Sequence, residues 1–259
     1  MPTWNPDLYL RFADERTRPC RDLVARVAID SPQRIVDLGC GPGNSTQVLT
    51  ERWPEANTIG LDSSNEMIAA ARHDYPSQTW LCDDIVKWAV TDSQEFDVVF
   101  SNAALQWVPD HATTFPQLVK KVKRGGAFAM QVPGNMNASA HHLMRELSTS
   151  ATWKKRFPAA GVREWHVLDL PAYYDILAPY SVRIDAWETE YFQVLPSAEA
   201  IVEWYRGTGL RPFLDALPSE DDREQFTHNY LQQIRAAYPT RPSGHVLFPF
   251  RRLFVIAYR

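Results

Sequence analysis

Arg34-Ile35-Val36-Asp37-Leu38, running straight into Gly39-Cys40-Gly41-Pro42-Gly43-Asn44-Ser45, is the stretch that decides the fold. The first five residues read as a short apolar strand. Three glycines at alternating positions then let the backbone turn tightly and come close to a ligand. Asn44 or Ser45 can cap a helix that carries Val48, Leu49 and Trp53 on one side. A helix opening there aims its unpaired N–H groups at whatever the loop holds, which is the design of a nucleotide site.

Working outward, residues 58–61 predict a second strand ended by Asp62, and Ser64 caps a helix through Met67, Ile68 and Ala71. Residues 78–82 and 96–100 predict a third and a fourth strand. The helix after them carries Phe115, Leu118, Val119 and Val122. It is predicted to end in Lys120, Lys121, Lys123 and Arg124 before Gly125-Gly126, where cations complement the helix dipole. Residues 128–132 predict a fifth strand. Strands alternating with helices imply a parallel sheet covered by helices.

Beyond this the pattern changes. Residues 135–165 look helical but lead into no strand, and 173–177 start a sheet-covering helix. Residues 181–193 alternate like a strand, and 246–258 return as a long final strand. The expectation is one domain over 1–259, an α/β, doubly wound, Rossmann-like seven-stranded sheet. Its cofactor-binding core spans 30–134, and helical insertions at 135–170 and 196–243 form a cap over the carboxyl edge, where ligands of such sheets bind.

Composition sets bounds. With 259 residues, 45% hydrophobic and 22% charged, the chain can bury a substantial core. The formal net charge of −4 gives no pull toward nucleic acid or an anionic membrane. Cys20, Cys40 and Cys82 are too few and too scattered for a disulfide framework or a zinc site. Of the seven histidines, His141 and His142 are adjacent, so on a helix they diverge by about 100° and make a poor metal pair. The N-terminus reads as no signal peptide and no run is long enough to cross a bilayer, so a cytoplasmic protein without a metal is expected.

The glycine spacing is G-x-G-x-G, not the dinucleotide G-x-G-x-x-G, and Asp37 precedes it. This combination resembles motif I of class I methyltransferases, whose loop wraps the methionine and ribose end of S-adenosylmethionine. A pyrophosphate disfavours a neighbouring carboxylate, whereas a sulfonium and an ammonium tolerate one. A nicotinamide-dependent oxidoreductase is the disfavoured alternative, and a non-catalytic S-adenosylmethionine-binding protein is another. Asp62, about twenty residues past the loop, is placed to accept from ribose hydroxyls. The resemblance implies that an acid of Asp83-Asp84-Ile85 accepts from the adenine amino group while Ile85 packs on the ring. It favours Asp84, with Asp83 as a second member. Asp37, Gly39, Gly41, Gly43, Asn44, Ser63, Met67, Asn102 and Ala103 complete the cofactor set. Trp107 stands where an acceptor meets the methyl group, or belongs to the core.

A narrower resemblance covers the whole chain. Residues 4–10 with Phe12, residues 15–19, the glycine loop, Ser101 to Trp107 with Pro109-Asp110-His111, Tyr173 to Leu177, Thr208 to Pro212 and Arg252-Leu253-Phe254 are similar to trans-aconitate 2-methyltransferases. The likeness is loosest over 137–170. It implies esterification of one carboxylate of a small polycarboxylate, or of a related small acceptor. An ionised carboxylate has no proton to lose near neutral pH, so positioning suffices and no catalytic side chain is expected. The carboxylates that do not react require cations, and the planar fork of arginine suits them. Candidates are Arg16, Arg18, Arg211 and Arg252, with Tyr9, Tyr173 and Tyr174 as hydroxyl donors. A monomer or weak dimer is expected.

Overall fold

The computed structural model describes residues 13–158, 161–162 and 165–259. Among them, seven strands form one sheet: β1 (Arg34–Leu38), β2 (Asn57–Asp62), β3 (Thr79–Cys82), β4 (Phe96–Asn102), β5 (Val122–Pro133), β6 (Arg183–Leu195) and β7 (Val246–Tyr258), in the order β3-β2-β1-β4-β5-β7-β6. The pairs β1–β2, β1–β4, β2–β3 and β4–β5 are parallel, and β5–β7 is antiparallel. Strand order reverses between β1 and β4. A ligand of a doubly wound sheet sits at the carboxyl ends beside such a switch point.

The helices are α1 (Ala13–Arg26), α2 (Asn44–Arg52), α3 (Asn65–Asp74), α4 (Ile85–Thr91), α5 (His111–Lys120), α6 (Ser139–Thr149), α7 (Leu170–Leu177), α8 (Ala198–Arg206), α9 (Arg211–Ala216) and α10 (Glu220–Ala237). Because side chains alternate along a strand, Val36 and Leu38 of β1, Val99 of β4, Phe128, Met130 and Val132 of β5, and Leu253, Val255 and Ala257 of β7 share one sheet face. There they form the main core with Phe115 of α5 and Tyr173 and Leu177 of α7. Phe115 and Tyr173 lie stacked with centroids 5.4 Å apart.

Two expectations need correction. Helix α5 stops at Lys120, and Val122 already pairs with Phe96, so Val122, Lys123 and Arg124 belong to β5. Lys123 is held there by Asp97 of the neighbouring strand, 3.1 Å away. The pairing register then shifts between Phe96 and Val98, where Gly125 and Gly126 fall. The cap of α2 is also not a side chain. Gly43, at φ 100°, occupies the N-cap, and Ser45 turns inward.

The chain divides into two compact units. One contains Leu10–Gly134, Trp165–Thr189 and Arg252–Arg259, and the other includes Asn135–Glu164 and Glu190–Arg251. Among the described residues of the second, the regular elements are helices apart from the ends of β6 and β7 that fall within it. Its interior is aromatic and polar at once. Trp153 packs edge-on against Phe226 at 5.1 Å, the Tyr230 hydroxyl donates to the Ala140 carbonyl, and the Asn135 amide donates to the Tyr205 hydroxyl. His141 is buried against Tyr205, and burial holds its imidazole neutral with a pKa of about 3. His142 faces outward to Glu146.

Candidate active site

The glycine loop is tied down by the strand beside it. Gly39 and Cys40 both donate backbone N–H bonds to the Leu61 carbonyl, and Gly41 N–H donates to Asp62 Oδ2 at 2.9 Å. Asp62 Oδ1 accepts from Ser64 N–H at 2.9 Å. Burial raises the Asp62 carboxyl above its ordinary value, and the N–H donors of Ser64, Gly41 and Ser63 oppose that rise. Asp62 therefore stands at the tip of β2 as a hydrogen-bonded carboxylate between two turns. Ser64 caps α3 by accepting from Met67 N–H, which leaves Ser63 exposed and Met67 buried.

Asp37 is fully buried. Its Oδ2 accepts from the hydroxyls of Ser45 and Thr46 at 2.6 and 2.7 Å, two residues that sequence reasoning did not place in the site. The signal was present as two hydroxyls one turn beyond the loop. Asp37 Oδ1 has no partner among the described residues. Burial lifts this carboxyl to about 6, the two hydroxyl donors pull the other way, and Asp62 adds to the rise.

The adenine candidates differ in surroundings. Asp84 is the N-cap of α4, and its Oδ1 accepts from Val86 and Lys87 N–H. Asp83 pairs with Lys87 Nζ at 2.8 Å, which lowers its pKa. Ile85 is buried beside Gly39, where an added Cβ would come within 3.8 Å of its Cδ1. At the end of β4, Asn102 Oδ1 is buried without a partner among the described residues, as is Asn44 Oδ1 at the start of α2. Ala103 holds φ 55°, a left-handed conformation uncommon for a side-chain-bearing residue. Such strain concentrates at ligand sites.

These residues fit a nucleoside-type ligand carrying a cationic amino-acid end. Gly41 adopts φ 55°, and, its chain neighbours aside, an added Cβ there would meet none of the described residues within 4 Å. Three buried acceptors, Asp37 Oδ1, Asn44 Oδ1 and Asn102 Oδ1, have no donor among the described residues. Cys40 is buried beside Trp80, and burial pushes its thiol pKa up, the opposite of a reactive thiolate.

The acceptor candidates are not brought together in the same way. Tyr9 lies outside the described residues, as does the Arg16 side chain. Arg18 is exposed on α1. Trp107 is half-buried, edge-on to Trp165 at 5.6 Å. Arg211 opens α9 with its Nε 3.4 Å from Asp215, and Arg252 is buried near the end of the sheet. Of the two tyrosines, Tyr173 requires correction. Tyr173 is fully buried in the main core, its hydroxyl engaged by Leu168 N–H and His111 Nδ1, and burial raises its pKa to about 12. Tyr174 is 54% exposed one position along the same helix, as helical geometry demands. The Tyr173 hydroxyl, held in the core by these partners, is not an acceptor-site donor.

Residues 36–130 match the methyltransferase domain family. The fold is also that of the YcgJ protein of Bacillus subtilis, at a TM-score of 0.60 and 14% identity, covering 93% of this chain and 99% of that one. The sheet order, the glycine loop after β1 and the acid at the tip of β2 define a class I S-adenosylmethionine-dependent methyltransferase. The chain is 49% identical to the trans-aconitate 2-methyltransferase of Azoarcus sp. (strain BH72) over 100% of both chains. It is 46% identical to that of Acidovorax sp. (strain JS42) over 100% of this chain and 99% of the other. It belongs to the trans-aconitate 2-methyltransferase family.

Proposed function

We propose that this protein methylates one carboxylate of trans-aconitate, and does so by positioning, without side-chain proton transfer. The observation that carries the acceptor assignment is the 49% identity to a protein of that name along the full length of both chains. When bound, S-adenosylmethionine supplies an activated methyl group on a sulfonium. Asp62 accepts from the ribose hydroxyls while keeping the glycine loop in place through Gly41. Asp84, with Asp83 beside it, takes the adenine amino group, and Ile85 lies against the ring. Asn44, Ser63, Met67, Asn102 and Ala103 complete the cofactor contacts. Asp37 places negative charge beneath the loop, where it favours a cationic ligand.

Arg252 and Arg211 are the leading candidate cations for the carboxylates that do not react, with Arg16, Arg18 and Tyr9 as further candidates. Trp107 borders the acceptor. In this reading the protein acts in the cytoplasm as a monomer or weak dimer, apart from nucleic acid and membranes. No helix among the described residues is long and apolar enough to cross a membrane.

A single assay tests the proposal: methyl transfer from labelled cofactor to a panel of small di- and tricarboxylates. Trans-aconitate is expected to accept label fastest. Label passing to none of the panel would overturn the acceptor assignment while leaving the cofactor site intact.

A further inference from the structure

We infer that Gln131 of β5 is a specificity-determining residue for the acceptor, donating from its side-chain amide to a carboxylate that is not esterified. This deepens the trans-aconitate reading and rests on it.

Gln131 is fully buried, and among the described residues neither Oε1 nor Nε2 of its side chain has a hydrogen-bond partner. A primary amide buried with its donor and acceptor both idle is costly, and in folded proteins such a group is generally completed by something. The sequence offers no structural reason for it, since a fully apolar residue would continue the run Phe128-Ala129-Met130 and Val132.

Its neighbours say what completes it. Gln131 pairs with Asn102 of β4 on one side and Phe254 of β7 on the other. Paired residues of adjacent strands share a face, so the amides of Asn102 and Gln131 stand side by side. Asp37 pairs with Phe100, two residues before Asn102, on that same face. Arg252 pairs with Pro133, two residues beyond Gln131, and so follows it on the same face nearer the carboxyl edge. The row thus runs from acid through two amides, that of Gln131 without a partner for either atom among the described residues, to a guanidinium.

The order of strands divides this row between the two ligands. The proposed cofactor contacts pass from β3 through β2 and β1 to β4, ending at Asn102 and Ala103. The next strand is β5, so Gln131 is the first buried polar side chain past the methyl-donor end. A carboxylate is acceptor-only and takes the Nε2 donors, and the Arg252 charge one step further along favours an anion in that place.

The test uses the full-length protein with Gln131→Met, which keeps length but removes the amide, and Gln131→Glu, which opposes one carboxylate with another. The Met variant is expected to raise KM for trans-aconitate about ten- to a hundredfold, the effect of losing one hydrogen bond to a charged group. The Glu variant is expected to raise it further. Calorimetric affinity for S-adenosylhomocysteine should stay within about threefold of wild type, since β5 lies beyond the cofactor. Gln131→Asn, which withdraws the amide by one methylene, gives the same comparison if the Met protein does not fold. An unchanged KM in a folded variant, or KM and cofactor affinity worsening in parallel, overturns the assignment. Wild-type protein that transfers no methyl to trans-aconitate removes the underlying reading, and this one with it, before any variant is made.

Discussion

The carboxylate of Asp62 accepts a 2.9 Å hydrogen bond from the backbone N–H of Gly41, so the acid proposed to hold ribose also pins the loop that approaches the ligand. With its other oxygen on Ser64 N–H, Asp62 completes two backbone donors at once. Asp62→Ala is therefore expected to act twice. Cofactor affinity should fall by roughly 1.5–3 kcal/mol through lost bonds to a charged acceptor, and the fold should lose about 1–2 kcal/mol. Calorimetry with S-adenosylhomocysteine and a denaturant melt measure the two effects separately. Unaltered affinity in the folded variant would remove Asp62 from the cofactor site.

The loop glycines are expected to divide by what surrounds them. A Cβ at Gly39 would fall 2.1 Å from the Ala104 Cβ, whereas one at Gly41, its chain neighbours aside, would meet none of the described residues within 4 Å. Gly39→Ala should therefore lower Tm strongly. Gly41→Ala should cost about 1–2 kcal/mol, the left-handed backbone penalty, yet weaken S-adenosylhomocysteine binding at least about tenfold by filling the space the ligand needs. Normal binding by Gly41→Ala would mean that this glycine serves only the turn.

Much of the sheet was legible because the strands that pack on both faces read as bare apolar runs. β1 and β7 appear at the bounds that their sequences suggest. β5 was misread at its start because Lys120, Lys121, Lys123 and Arg124 look like a helix terminus, and only the spatial neighbour Asp97 explains a lysine on that strand. The candidate cofactor residues stand in an order the sequence displays, since loop and acids follow strand ends, whereas the acceptor candidates are scattered along the chain. Tyr173 and Tyr174 are indistinguishable as letters, but one turns into the core and the other to solvent. Gln131 was hidden in an apolar strand, and its idle amide becomes visible only once the strands on either side are known.

Asp37 gives a pH dependence with a defined sign. Its folded value, about 6, lies above the ordinary carboxylate value of 3.8. The folded protein thus holds this proton more tightly than the unfolded chain does. The contribution of Asp37 to stability is fullest below about pH 4 and is lost as pH rises to about 6, by roughly 3 kcal/mol at about 1.36 kcal/mol per unit. Asp37→Asn should not show this loss, so the wild-type minus variant difference in unfolding free energy should slope across pH 4–6 and be flat above it. A cationic ligand favours the ionised form, so cofactor binding near pH 6 should release protons, measurable by calorimetry in buffers of different ionisation enthalpy. A flat difference with no proton release would show that Asp37 titrates normally.

If acceptor recognition is electrostatic, Arg252→Ala and Arg211→Ala should each raise KM for trans-aconitate by an amount equivalent to about 1.5–3 kcal/mol, with cofactor affinity nearly intact. Lysine should rescue either position only in part, because it keeps charge but not the planar fork. The two arginines need not weigh equally. Arg211 already has Asp215 at 3.4 Å, so its removal also leaves that acid without its cation. Steady-state kinetics for all four variants decide the matter. If neither alanine variant changes KM, the carboxylate site moves to Arg16 or Arg18.

The chemistry itself has a signature in pH and in the product. When an ionised carboxylate attacks the methyl carbon, no side chain has to accept a proton. The acceptor-dependent limb of kcat/KM should then rise through the acceptor carboxylate pKa values, about 4–6, and stay level to pH 8. Asp37 adds to the rise near pH 6 if its ionisation aids cofactor binding, a contribution that saturating cofactor suppresses. An amine or phenol acceptor would need a general base, and its rate would climb between about pH 6 and 9 as that base ionised. His141 is held neutral by burial, and burial raises the Tyr173 phenol to about 12, so neither supplies an ionisation in that range. The product of the carboxylate route is a methyl ester, which mild alkali cleaves with release of methanol. Recovery of an alkali-stable methylated product, together with a rate still climbing above pH 7 at saturating cofactor, would reject the carboxylate as nucleophile.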